Sequence, residues 1–547
     1  MATNKKDGFM FQAAVLAAAG LLSRVIGLLY AVPLYQIIGE EGNGYYGTAY
    51  DIYFMILLIS TYSIPTAVSK VISQRLALEE YKNARKLFIC SLIYVIVVGA
   101  FTAILTLVLA PVLVIEQSVL SLRVMAPTIF FSGLLSVFRG YMQAQNTMIP
   151  TAISQIIEQI VNACVSVAAA YIFTLPYREA MDAGVLSETA TIGASHGAAG
   201  SALGTGAGVL AGLIFILINY ARRSRDFKEK IIADRNIHEE SYKDLFKVIF
   251  MMVTPVIMAT FIYNVSTTVD MKIYWWIVDI KGIERSIASK TYGIYSRQFL
   301  VLINLPIAIS SSVSSALIPG ISGAYSKNDI DGVRSRLNQA IRTTMMVVIP
   351  ASIGMAALAN PIMQLLFSGT DKRAGFALAG GCISVVFYAL STITNGVLQG
   401  IGRVEAPVKN ATLTLLIHIL FVLGMLYFTS GTLSVLVAGS VVYSLLMCVF
   451  NARSIKKYLN YTMDYKRIYV MPAISAFIMG VVAYFSYAGM HMLVQSNIIS
   501  LVTAIILAVI VYALTMLKTG ACTKNDLLNL PKGTSIVRVA ERLHLLK

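Results

Sequence analysis

Apolar residues recur from end to end of the chain in runs of about 20, the length a helix needs to span about 30 Å of hydrocarbon. Fourteen such runs are predicted to be transmembrane helices: 10–34, 46–69, 87–114, 118–138, 150–174, 197–221, 248–273, 291–318, 342–367, 374–400, 406–428, 433–450, 468–490 and 498–517. Short polar turns separate them. The stretch Arg139–Asn162, RGYMQAQNTMIPTAISQIIEQIVN, shows the pattern and its exception. A basic residue ends one run, Pro150 opens the next, and Glu158 sits well inside that second run, where a carboxylate is costly. The predicted class is an all-α polytopic membrane protein.

Composition agrees. Of 547 residues, 57% are hydrophobic and 13% charged, with mean hydropathy +0.73. A soluble chain of this length would form several domains with charged surfaces. The net charge of +16 does not point to nucleic acid, because no basic stretch is interleaved with aromatics. The basic residues follow the loops instead. Arg222–Lys247 carries eight of them, whereas the loops at 39–45, 115–117 and 175–196 carry Glu40, Glu41, Glu116, Glu179, Asp182 and Glu188. By the positive-inside rule both termini lie in the cytoplasm. Lys5 and Lys6 precede a run too long for a signal peptide, so no cleavage is expected. Cys90, Cys164, Cys382, Cys448 and Cys522 form no CxxC or metal-spaced set and read as small core residues.

Motifs repeat at a nearly constant offset. Pro65 is matched by Pro319, Pro111 by Pro361, Gly140-Tyr-Met-Gln with Pro150 by Gly396-Val-Leu-Gln with Pro407, and Tyr46-Gly47 by Tyr292-Gly293, at separations of 246 to 257 positions. Six spans per unit preserve membrane orientation, giving two parallel six-helix lobes plus two extra C-terminal helices. The expected domains are residues 1–221 (first lobe), 222–247 (basic cytoplasmic linker), 248–450 (second lobe), 451–517 (the extra pair) and 518–547 (a cytoplasmic amphipathic tail).

Polar residues inside the spans are the candidate site. Arg24 lies fifteen residues into the first span, where insertion of a guanidinium costs about 2.5–3.5 kcal/mol. Either it contacts an anion, most naturally phosphate, or it pairs internally with Glu158 or Asp51. Arg297 lies in the eighth span, and its repeat counterpart falls around Tyr50 and Asp51. Gln155, Glu158 and Asn162 share one face of span five, as Thr392, Asn395 and Gln399 do on span ten. Two such stripes suggest a central water-accessible cavity, with helix–helix hydrogen bonding as the alternative. Asp270 and Lys272 read as an exposed pair ending the seventh span, and His418 as a packed core residue. The run Gly193–Gly212 reads as close helix packing. No phosphate-loop, HExxH, GxSxG or metal-ligand pattern occurs, so neither an enzyme nor a metal site is expected.

Phe138–Val161, FRGYMQAQNTMIPTAISQIIEQIV, resembles the signature of stage V sporulation protein B-like polysaccharide exporters, which belong with the MurJ-type lipid II flippases in the multidrug/oligosaccharidyl-lipid/polysaccharide superfamily. Leu21–Gly47 and Ser63–Tyr81 are similar to the same group. The resemblance implies alternating access that moves an undecaprenyl-pyrophosphate-linked sugar from inner to outer leaflet, with the extra helices forming a groove for the lipid tail. Arg24 matches the family arginine in Ser-Arg-Val-Ile-Gly, while a second family arginine falls at Tyr30 and an acid at about Tyr45. Arg297 resembles the eighth-span arginine with a different spacing to the next proline. These departures favour the sporulation-protein-like branch.

The function expected is a flippase for a lipid-linked cell-wall precursor, most closely lipid II, in the bacterial plasma membrane. The alternatives are a cation-coupled multidrug exporter of the same superfamily and an exporter of another lipid-linked polysaccharide. Its expected substrate contacts are Arg24, Asp51, Gln155, Glu158, Asn162, Arg297 and Asn395. No cofactor is expected, the drive being the membrane potential or a monovalent ion. The partners expected are the lipid-linked oligosaccharide, membrane lipids and cell-wall synthesis proteins, with the chain itself a monomer and no nucleic acid bound.

Overall fold

A computed structural model describes residues 3–62, 64–145, 147–183, 187–234, 240–461 and 465–520. The expected amphipathic tail lies almost wholly outside them, as does Cys522. Among the described residues there is no strand, and 12 helices are long and apolar enough to cross a membrane. The expected spans 10–34 and 46–69 begin on either side of a break in α1 (Thr3–Leu57), where two helices meet at a kink at Gly39, whose φ of 68° lies in the region glycine tolerates without strain. The expected span 248–273 lies within α8 (Tyr242–Lys281), whose side chains at 252–260 are outside the described set.

The helices turn apolar faces outward. On α3 (Tyr81–Leu113), Val97, Phe101, Ile104, Val108 and Val112 are exposed at helical spacing, whereas Ala103, Thr106 and Ala110 on the other face are buried. In water this would be a large unpartnered apolar stripe. Hydrocarbon is the solvent it fits.

By compactness the chain divides into two units, Met1–Arg297 and Gln298–Lys547. The sequence repeat instead assigns α8 and α9 (Arg285–Gly293) to the second lobe. Within the first unit, α5 (Ile149–Thr174) packs on α7 (Glu188–Ala233) along a glycine stripe. A Cβ on Gly200 would come 2.6 Å from the Ala169 carbonyl, and one on Gly208 would overlap the backbone of Glu158. Gly193–Gly212 therefore acts as close packing, as its composition suggested. Ser166 Oγ donates to the Ser201 carbonyl across the same seam at 2.9 Å.

The repeat carries a packing role in each unit separately. In the first, Gly140 of α4 (Glu116–Ala144) sits against Pro65 and Val68 of α2 (Ile64–Ala77). In the second, its counterpart Gly396 of α14 (Ile383–Gly400) sits against Ser314 of α10 (Leu300–Ser326). The last two helices, α17 (Met471–Val494) and α18 (Asn497–Lys518), pack through Met479, Ala483, Leu501, Ala504 and Ala508. Gly480 of α17 lies against Ile353 of α11 (Ile330–Ala357).

Candidate functional site

The polar stripes resolve first. Arg139 of α4 donates from Nε to Ser154 Oγ at 2.9 Å and from Nη2 to Glu158 Oε2 at 2.7 Å. Glu158 is thus neutralised by Arg139 on the neighbouring helix, not by Arg24, and Arg139 is an intramolecular partner instead of a simple boundary charge. The reason is geometric: the α4–α5 turn brings residues similarly distant from it side by side. Asn162 is buried and accepts from Ser166 Oγ at 2.9 Å, facing the glycine seam at Gly208. Gln155 is half-buried, and its Oε1 has no hydrogen-bond partner among the described residues.

In the second unit Asn395 belongs to an asparagine clasp. Asn451 of α16 (Thr432–Leu459) donates to Asn395 Oδ1 at 2.7 Å and accepts from Asn410 of α15 (Glu405–Phe428) at 2.9 Å. Asn395 thereby ties helices together. His418 is buried with its ring edge-on to Tyr443, 5.4 Å between centroids, in keeping with a core residue.

Of the expected exposed pair, Lys272 is exposed but Asp270 is not. The helix α8 continues to Lys281, which puts Asp270 at mid-helix and buries it, while Lys272 reaches the Leu113 carbonyl. Arg24 lies on α1 ahead of the Gly39 kink with an exposed side chain. Neither Glu158 nor Asp51 is its ion-pair partner.

The distinctive cluster forms beyond the kink, where α1 meets α8 and α9. Close backbone approach is built in: a Cβ on Gly293 would come 2.9 Å from the Gly44 nitrogen, and one on Gly44 would overlap Ser289. Ser289 Oγ donates to the Glu41 carbonyl at 2.9 Å, Trp275 Nε1 to Thr48 Oγ1 at 3.1 Å and Thr268 Oγ1 to the Asp51 carbonyl at 3.2 Å. Tyr45 and Thr191 both donate to Glu41 Oε1, at 2.7 and 2.9 Å.

After α9 the chain makes a π-helical turn, Ile294–Phe299, a geometry that recurs at functional sites. It carries Arg297. The guanidinium carbon lies 4.5 Å from the Tyr46 ring centroid and 5.5 Å from that of Tyr50. Such cation–π contacts contribute about 0.5–2 kcal/mol each according to desolvation. Arg297 has no carboxylate within 4.0 Å among the described residues, and its Nε is buried without a hydrogen-bond partner. Asp51, one residue past Tyr50, accepts a hydrogen bond from the buried Tyr292 hydroxyl and, among the described residues, has no cation within ion-pair distance either.

These four residues obey the repeat. Tyr46 and Tyr292 are 246 positions apart, and so are Asp51 and Arg297. Each repeat's tyrosine holds the other repeat's charge. The sequence placed Tyr46-Gly47 and Tyr292-Gly293 as repeat markers but gave the tyrosines no role. The common offset was the signal that linked them to Asp51 and Arg297.

Comparisons with known proteins concern the chain as a whole. The family model described as polysaccharide biosynthesis protein matches residues 11–325, and the one described as MatE matches residues 296–423. Stage V sporulation protein B of Bacillus subtilis (strain 168) is 24% identical over 96% of this chain and 98% of its own. Lipid II flippase MurJ of the same organism is 22% identical over 74% of this chain and 75% of its own. A solved structure titled lipid II flippase MurJ, inward closed conformation, superposes with TM-score 0.64 at 17% identity, covering 92% of this chain and 98% of that one. The chain is a multi-span membrane protein, and with more than half of it matched by the family model, it belongs to the polysaccharide biosynthesis protein family.

Proposed function

We propose that this protein is a flippase that moves an undecaprenyl-pyrophosphate-linked cell-wall precursor, most closely lipid II, from the inner to the outer leaflet of the bacterial plasma membrane by alternating access. The observation that carries the proposal is Arg297: a guanidinium within an apolar span, supported by tyrosine faces and, among the described residues, left without a carboxylate. Such a group is expensive to keep in a membrane protein and suits the two oxygens of a phosphate. Arg24, exposed on α1 ahead of the Gly39 kink, is the complementary first contact for a pyrophosphate entering from the cytoplasm. Both termini are cytoplasmic in this scheme.

The membrane potential supplies the drive at about 2.3 kcal/mol per charge per 100 mV. The likeness to relatives named for lipid II flipping and sporulation supports the substrate class. A second reading, cation-coupled drug export, draws on the MatE match and on Asp51 as a carboxylate without a cation partner among the described residues.

The test is translocation of a fluorescent undecaprenyl-pyrophosphate-linked saccharide in proteoliposomes, run beside efflux of a cationic dye. Native protein is expected to move the lipid and not the dye, and Arg297→Ala to lower lipid movement about 100-fold, the loss of roughly 3 kcal/mol of charge-assisted contact. Dye efflux without lipid movement sinks the flippase reading and favours drug export.

A further inference from the structure

We infer that Tyr292 is a positioning residue that occupies Asp51 and so keeps Arg297 available for an anionic headgroup. The inference rests on the anion-binding reading of Arg297. Asp51 and Arg297 are oppositely charged and occupy equivalent positions of the two repeats, 246 residues apart. Left to themselves, opposite charges in a medium of low dielectric attract strongly and pair. Here they do not pair. Tyr292 satisfies Asp51 with a hydrogen bond, and Tyr46 and Tyr50 hold the guanidinium by their ring faces. The arrangement is reciprocal, since Tyr46 and Tyr292 are themselves repeat-equivalent.

A hydroxyl donor suits Asp51 because it stabilises the carboxylate without bringing a second cation. Ring faces suit Arg297 because they stabilise the cation without competing for all its N–H donors, and Nε is left unmatched. The other charged group near Asp51 is Asp270 of α8, itself buried, which adds no positive charge. Without the Tyr292 hydroxyl, the cation that Asp51 would recruit is Arg297.

The experiment is calorimetric titration of the detergent-purified full chain with farnesyl pyrophosphate. Tyr292→Phe removes the donor and keeps the ring, so the probe should bind about tenfold more weakly, the equivalent of about 1.4 kcal/mol. Adding Asp51→Asn to Tyr292→Phe should return affinity to the native value or better, an epistasis that a merely structural tyrosine would not produce. Asp51→Asn alone should tighten binding about threefold by removing a negative charge near the anion.

Native affinity in Tyr292→Phe, or failure of Asp51→Asn to restore it, overturns the inference. Should Tyr292→Phe not fold, Asp51→Asn alone decides, since weaker binding there is incompatible with an acid that must be kept away from Arg297. Arg297→Ala separates the two levels. If it binds the probe as the native chain does, the anion-binding reading itself is wrong. If it loses binding while Tyr292→Phe does not, only the role of Tyr292 falls.

Discussion

Two arginines of the first unit, Arg139 and Arg297, meet their neighbours in opposite ways. Arg139 is fully committed, with Glu158 at 2.7 Å and Ser154 at 2.9 Å, at a seam between two adjacent helices. Arg297 has an acid at its repeat-equivalent position but rests on tyrosine rings, while that acid is held by Tyr292. Pairing a charge is the ordinary way to keep it in a membrane. Withholding the pair leaves the charge able to act on something else.

Four experiments break or sharpen that contrast. Arg297→Ala should have the largest effect, about 100-fold on lipid translocation or roughly 3 kcal/mol, with little loss of fold because no acid is stranded. Glu158→Ala should do the reverse: it strands Arg139, lowers unfolding free energy by about 2 kcal/mol for a partly solvated pair, and is read by thermal unfolding in detergent. The double change Arg139→Met/Glu158→Ala should recover most of that loss. A Glu158→Ala protein as stable as native would erase the distinction between the two arginines. Tyr50→Leu should weaken farnesyl pyrophosphate binding about fivefold, near 1 kcal/mol, by loosening one face of the support for Arg297. Smallest is Asn395→Ala, which should cost about 1 kcal/mol or less of stability with unchanged probe affinity, because its amide oxygen serves Asn451.

Much of the fold was readable because hydrocarbon imposes a length on every helix, and the runs of about 20 announced it. The repeat was readable through Gly140 and Gly396, since close packing at both positions demands the missing Cβ. The break between the first two spans was readable at Gly39, but the shortness of the join was not, because a polar turn reads as a longer loop than the one non-helical residue found there. Pairing was harder. Arg139 and Glu158 lie at similar distances on either side of one helical turn, so their contact was within reach of sequence reasoning. Asp51 and Tyr292 are separated by 241 residues, and nothing local connects them. The burial of Asp270 was missed for a different reason: the apolar run ends at residue 273, but α8 continues to Lys281 because Ile273, Trp275, Ile277 and Val278 keep a packed face.

The chain has two tryptophans, and their placement gives the protein an optical property. Trp275 is buried, its indole N–H on Thr48 and its ring 6.2 Å from that of Tyr292. Trp276 is exposed, 54% accessible. Replacing Trp276 with Phe would leave one indole as the emitter, beside the tyrosine that holds Asp51. A shift of its emission wavelength would then report, without any added dye, each parting of α1 from α8 and α9.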